Sequence, residues 1–325
     1  MRRTLLTCAA LALLATAAGA QTSSERGAAI LIFPKVVADS SADTVLQLTN
    51  LSAVRIGVFC SYVDGTDGWA ATSFSLRLEP SQPLSWSAAG GRDADDDNTI
   101  PAAPAGLRGE LLCVETDTAG SPAGDNRLVG QATVASLADA DLFSYAAVGL
   151  HGSGFNDGDD VLCVGGDVSD SCFIGPEYDP CPAEWLITHA AEGAAQAQTG
   201  GTVDTRFAIA PCSQNVRDAE PATVTIDIAV TNAFAERFTG TTSVTCWADL
   251  SLGDVADGLF DRATVGSEVV QTSLKPAAGS GGFALAVEAE YRDSGGAVQA
   301  RAGIAPMPRG NGDGADLIVL PMGRP

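Results

Sequence analysis

The sequence predicts an all-β protein of two antiparallel β-sandwich domains joined by an irregular, disulfide-bearing bridge. Three observations predict it. Apolar and polar residues alternate in short runs, as at Val224, Ile226, Ile228 and Val230 against Thr225, Asp227 and Ala229, which is the period of a half-buried strand. Gly, Pro and Asp clusters bound those runs, and almost nothing carries a helical period. A strand–turn–strand unit at residues 46–50 and 56–60, ending on Cys60, is stated again at 228–232 and 244–246, ending on Cys246.

Residues 1–20 are read as a secretory signal peptide. Arg2 and Arg3 begin it, residues 5–17 are mostly apolar, and Ala18, Gly19 and Ala20 make a small-residue cleavage site before Gln21. The apolar run is too short to span a bilayer, and no later stretch is long enough to do so. Cys8 precedes most of that run and is not placed like a lipid-modified cysteine. The expectation is an exported protein of a periplasm, a cell surface or the extracellular space.

The first domain is expected over residues 21–136. Ile30 to Phe33 are an apolar strand stopped by Pro34, residues 39–43 a turn and 44–48 the next strand. Ile56, Val58, Cys60 and Tyr62 share one face of a third strand, and Phe59 on the other face marks a second packing surface. Phe74, Leu76 and Leu78 alternate up to Pro80. After the irregular residues 87–106, strands return at 109–114 and 128–134.

Residues 137–202 form the bridge. A strand fits residues 142–150, a Gly/Asp loop follows, and Cys163 and Cys172 flank a turn. Residues 183–191 fit a weak helix or a ragged strand equally, and 196–202 have the composition of a hinge. The second domain, 203–325, has strands at 207–211, 224–230, 244–247, 268–274, 282–291, 298–304 and 317–320.

The halves align in blocks. Pro34 matches Pro211, and Thr49 with Asn50 matches Thr231 with Asn232. Cys60, Phe74 and Ser81 match Cys246, Phe260 and Ser267 at one common spacing, and residues 109–115 match 282–288. The spacing changes only where loops are predicted, as insertions would. A divergent duplication is the expectation.

Without Cys8, seven cysteines remain: Cys60, Cys113, Cys163, Cys172, Cys181, Cys212 and Cys246. In an exported chain without a CxxC pair these read as disulfides, and the odd number leaves one thiol or an intermolecular bridge. Cys60 with Cys113 ranks first, Cys163 with Cys172 second, and Cys212 with either Cys181 or Cys246 third. Trp69 and Trp86 lie between Cys60 and Cys113, an order similar to that of immunoglobulin-like domains, so each half is expected to be an immunoglobulin-like or fibronectin-III-like sandwich. Together, the export signal, Phe33 to Lys35, Thr49 with Asn50, and the run Glu177, Tyr178, Asp179, Pro180, Cys181, Pro182 resemble a group of exported bacterial β-rich proteins of uncharacterised activity. That resemblance implies no activity.

The net charge is −22, and becomes −24 when Arg2 and Arg3 leave with the leader. Lys35 and Lys275 are the only lysines. Such a chain is repelled by phosphate backbones and anionic lipid, so nucleic acid is excluded as a partner class and a protein or glycan at the cell surface is expected.

Chemistry is sparse. The two histidines, His151 and His189, have no Gly-x-Ser-x-Gly elbow to serve. A hydrolase site between the domains near His189 is one alternative. Asp93, Asp95, Asp97 and Asn98, and again Asn156, Asp157, Asp159 and Asp160, supply hard oxygens suited to calcium, without the glycine and glutamate of an EF-hand loop. With Trp69, Trp86 or Trp247 as stacking platforms, they would suit a calcium-dependent carbohydrate-binding module. The leading expectation is a non-enzymatic structural or binding protein without a cofactor, acting through loops or strand edges.

Overall fold

The computed structural model describes residues 26–66, 69–93, 98–137, 141–154, 156–165, 172, 175–197, 200–312 and 314–321. The expected leader lies outside them. Strand accounts for 59% of the chain and helix for 3%, so the protein is all-β.

Nine strands of the first half share one antiparallel sheet: β1 (Ile30–Ala38), β2 (Ala42–Asn50), β3 (Ile56–Asp64), β4 (Ala71–Leu78), β5 (Pro83–Ser87), β6 (Leu107–Thr116), β7 (Leu128–Ser136), β8 (Asp141–Ala146) and β9 (Val148–Leu150). Their order is β4-β3-β6-β1-β2-β7-β8, with β5 also on β2 and β9 on β1.

The remainder runs β10 (Val161–Val164), β11 (Pro182–Ala190), β12 (Ala194–Gln196), β13 (Gly201–Pro211), β14 (Gln214–Asn215), β15 (Thr223–Thr231), β16 (Arg237–Thr245) and β17 (Ala248–Ser251). Two single-turn helices follow, α1 (Leu252–Val255) and α2 (Arg262–Val265). Then come β18 (Val269–Pro276), β19 (Phe283–Arg292), β20 (Val298–Ile304), β21 (Met307–Asn311) and β22 (Asp316–Val319). These make a sheet ordered β16-β15-β18-β11-β21, a second ordered β12-β13-β19-β20 with β17 on β13, and a small one ordered β10-β22-β14.

Pairing reaches into the segment expected as a bridge. β8 and β9 belong to the first sheet, and β11 and β12 to the two larger sheets of the second half. Of residues 183–191, all but Ala191 resolve as strand, with Trp185, Ile187 and His189 inward. The stretch read as a hinge falls between the paired strands β12 and β13, where Gly200 N–H donates to Gln196 O at 2.9 Å. The α1 turn is unforeseen, although its capping box is local: Ser251 Oγ accepts from Asp254 N–H, and the Asp254 carboxylate accepts from Ser251 N–H.

β1 explains how the halves meet. All nine of its residues are buried, the burial of a strand covered on both faces. Leu31 and Phe33 pack with Leu46, Leu48, Tyr62 and Trp86 in the first sheet's own core. Ile30 and Ile32 pack in a cluster shared with Phe207, Ile209 and Leu285 of the second half. Phe59 likewise points away from Val58 and Cys60 into the shared cluster, the second packing surface its place in the strand implied.

The bridges are Cys60–Cys113, Cys163–Cys172 and Cys181–Cys212, leaving Cys246 as the free thiol among the described residues. Of the two alternatives for Cys212, the protein takes Cys181. Cys60 and Cys113 face each other on neighbouring strands of one sheet with Cα atoms 4.1 Å apart. The bridge of an immunoglobulin domain instead joins two sheets.

The block alignment carries into strand register. It turns Ile30↔Val114 into Phe207↔Val287 and Leu31↔Cys113 into Ala208↔Ala286, and all four pairs are formed. It also relates two asparagines. Asn50 Nδ2 donates to Glu79 O at 3.0 Å, and Asn232 Nδ2 donates to Val265 O at 2.7 Å, the carbonyls being as far apart in the chain as Cys60 and Cys246.

Candidate functional site

Charge is gathered where the halves meet. The β1–β6 register shifts between Phe33 and Val36, the irregularity that Pro34 forces by removing a ladder N–H. Lys35, 5% exposed, is thereby turned toward the second half. Its Nζ donates to Asp249 Oδ2 at 2.9 Å and Glu288 Oε1 at 2.6 Å, and lies 5.5 Å from the centre of the Phe143 ring. The Tyr145 hydroxyl fixes its backbone, donating to Lys35 O and accepting from Lys35 N–H at 3.1 Å. Trp247 Nε1 donates to Pro34 O at 2.6 Å.

The network continues outward. Arg206 Nε reaches Asp249 Oδ1 at 3.1 Å, Arg292 Nε reaches Asp204 at 2.7 Å, and Arg301 lies 3.3 Å from Glu290. Burial raises the Glu288 carboxyl above its ordinary pKa, against the pull of Lys35. At Asp249 burial also pushes upward, but Lys35 and Arg206 outweigh it and hold that carboxyl low. A cavity of about 240 Å³ opens among Lys35, Arg108, Arg206, Asp249, Glu288 and Arg301. Its charges are largely satisfied by one another, which suits a joint between halves. An apolar groove of about 230 Å³ runs beside it, floored by Trp185 and Leu285. There β8 and β20 meet backbone to backbone, since a Cβ at Gly303 would sit 2.3 Å from Ser144 O.

His189 lies inside the second half. Its Nδ1 is 3.1 Å from Thr205 Oγ1 and 2.6 Å from Ala190 O, its Nε2 is 2.7 Å from Thr272 Oγ1, and its ring stands edge-on to Phe207. Burial pushes its pKa down to about 4. The ring is held neutral between two threonines, with no serine or carboxylate among these partners. His151 Nδ1 lies 3.8 Å from Asp179, and burial pushes the imidazole pKa down while raising that of the acid.

The first acidic loop is described in part. Asp93 is exposed, Asn98 is buried and accepts from Arg77 N–H at 2.7 Å, and Asp95 and Asp97 lie outside the described residues. In the second, side chains cap successive turns. Asn156 Oδ1 accepts from Gly158 N–H at 2.7 Å, Asp157 Oδ1 from Asp159 N–H at 3.1 Å, and Asp159 Oδ1 from Val161 N–H at 2.8 Å. Asp160 pairs with Arg217 at 3.0 Å. Glu177, buried, accepts from Asp157 N–H and Cys163 N–H, both at 3.0 Å. Among the described residues, one group of acidic, Cys or His side chains brings its ligand atoms within 4.8 Å of one another: Cys181, Cys212 and Asp316. Its two sulfurs are already bonded to each other.

The tryptophans are interior. Trp69 and Trp86 are buried, Trp247 is half-buried, and Trp86 Nε1 donates to the Tyr62 hydroxyl at 2.6 Å.

The feature that points outward is β16. It ends its sheet, and the residues 237, 239, 241, 243 and 245 are exposed. The hydrogen bonds just beyond its two ends, Cys246 N–H to Ala222 O at 2.9 Å and Asn232 N–H to Glu236 O at 3.0 Å, set the phase of the β15–β16 ladder. In that phase Phe238, Gly240, Thr242 and Val244 bond to β15. Arg237, Thr239, Thr241 and Ser243 therefore turn their N–H and C=O groups to the free side, as Thr245 does its N–H, while Thr245 O accepts from Trp247 N–H at 2.8 Å. Arg237 is the only charge on the strand, and the register has no bulge.

Three further edges are blunted. Arg77 N–H of β4 is taken by Asn98, β21 is short and carries Pro308, and β20 closes on β8. Sequence reading missed the seam and this edge. Lys35, one of two lysines and set in an otherwise apolar strand, was the one cue to the seam.

No protein-family model matches the chain, and no curated protein matches it. Among solved structures, the crystal structure of Thermotoga maritima 1070 matches at 10% identity, covering 38% of this chain and 95% of that one with a TM-score of 0.29. Similarity that slight carries no argument about fold or function. Among the described residues no helix is long and apolar enough to cross a membrane.

Proposed function

We propose that this is an exported, non-enzymatic structural or binding protein of the cell envelope or extracellular space, engaging a macromolecular partner through a strand edge. In this reading the two halves are immunoglobulin-like sandwiches derived by duplication. The matching β1–β6 and β13–β19 registers and the equivalent Asn50 and Asn232 support that descent. Three disulfides suit an oxidising compartment.

The uncovered edge of β16 carries the reading. A long unpaired row of backbone groups is a template for another chain, and proteins with no use for one protect it. The test is a photo-crosslinking amino acid at Thr241 of the exported full chain. A discrete adduct is expected there and not from the same label at exposed Thr118. Equal labelling at both positions overturns the reading.

A further inference from the structure

We propose that the partner at this edge is a second copy of the chain, joined β16 to β16 in an antiparallel pair about a two-fold axis near Thr241. This rests on the strand-edge reading above. An antiparallel edge is self-complementary, because residue i of one copy meets residue j of the other while j meets i. Centred on Thr241, the pairing sets Thr239 against the second copy's Ser243 and Arg237 against its Thr245, so the outward N–H groups of Thr239, Thr241, Ser243 and Thr245 each find an unoccupied outward C=O, and Arg237 N–H meets Thr245 O, which it shares with Trp247 N–H.

Three features favour a copy over an unrelated strand. Hydroxyl pairs already link β15 to β16 on this face, Thr223 with Thr245 at 2.8 Å and Thr225 with Ser243 at 3.0 Å, and self-pairing extends the same chemistry by two more strands. On the opposite face Phe238 and Leu259 are only partly buried, and Leu259 lies 3.9 Å from where a Cβ on Gly240 would stand. A second β16 would cover that apolar rim, setting Val244 beside Phe238. The charges also match. Arg237 is exposed, with no ion-pair partner among the described residues. It would lie at the end of the second copy's strand where Thr245 neighbours Thr223, the side from which the exposed Glu220 leads in. Two such contacts arise from one axis.

Sedimentation of the full chain across the micromolar range tests the proposal. The native protein should form a dimer. Thr241→Pro removes an N–H that faces the free side and leaves the β15 ladder intact, so it should be monomeric with unchanged circular dichroism. Arg237→Glu keeps every backbone group and should weaken the dimer several-fold, which guards against a misfolded proline variant. A native protein that stays monomeric, or a dimer indifferent to both substitutions, overturns the proposal. Should the native chain be monomeric while the Thr241 label still captures a different protein, the self-pairing is lost and the strand-edge reading stands. Absence of both results removes both.

Discussion

Glu110 of β6 lies beside the side-chain amide of Gln214 of β14, and both of its carboxyl oxygens, with the Gln214 oxygen, lack a donor. The Gln214 side chain favours the carboxylate, but burial outweighs it. A neutral acid can donate to Gln214, and burial pushes the Glu110 pKa up to about 8, which keeps the proton in place at neutral pH. The joint between the halves thus contains a carboxylic acid as well as an ion network.

Stability should accordingly rise as pH falls from 8 toward 6.5. Glu110, with Glu115 and Glu192 near 7, holds a proton when folded that it releases when unfolded. A raised carboxyl pKa gives stability that is complete below the unfolded value and is lost as pH rises through the folded value. Each such group adds at most about 1.4 kcal/mol per pH unit. Below 6.5 His189 opposes the trend, because its lowered pKa makes the folded state resist protonation. Urea melts at pH 6.5 and 8 should show the difference, and Glu110→Gln should flatten it by raising stability at pH 8. An unchanged slope in that variant would show that Glu110 is ionised when folded.

Lys35→Met should destabilise the protein by about 3–5 kcal/mol, since it strands Asp249 and Glu288 inside without their cation. The loss should shrink in mild acid, where Glu288 takes up a proton most readily. Denaturant midpoints at two pH values measure this, and a loss below about 1 kcal/mol, the range of a surface pair, would mean that the network is open to solvent.

Breaking Cys60–Cys113 by double alanine substitution should cost about 4 kcal/mol on chain-entropy grounds, for a closed loop of 53 residues. Cys246→Ser should cost little. Alkylation of the denatured, unreduced protein should mark Cys246 and leave Cys60, Cys113, Cys181 and Cys212 untouched; label on any of those four refutes the pairing.

Asn50→Ala and Asn232→Ala should behave as a pair, each costing about 1–3 kcal/mol by leaving buried backbone groups without partners. Similar losses in thermal melts are what shared descent predicts. A neutral substitution at one site and a severe one at the other would mean that the resemblance is local.

Much of the strand layout was legible because alternation reports burial on one face. The runs through Val224–Val230 and Phe74–Leu78 read directly, and Phe59 revealed a second covered face by breaking its pattern. Residues 183–191 were ambiguous because threonine and histidine at Thr188 and His189 gave the strand no clear polarity, although His189 is buried between threonine hydroxyls. The choice of Cys181 over Cys246 for Cys212 was closed to sequence reading, since it depends on how sheets stack. So was the seam, where Lys35, Asp249 and Glu288 meet from three distant strands.

The burial of β1 has a kinetic consequence. It is the first strand among the described residues, yet its long pairing is with β6, and beyond that with β9 at Leu150, and one of its faces is covered by residues as late as Leu285. A chain emerging from its N-terminus therefore holds this fully buried strand with only its short contact to β2 until β6 follows, and contacts so distant along the chain make for slow folding. Ile30 to Phe33 are the residues that need shielding first during folding.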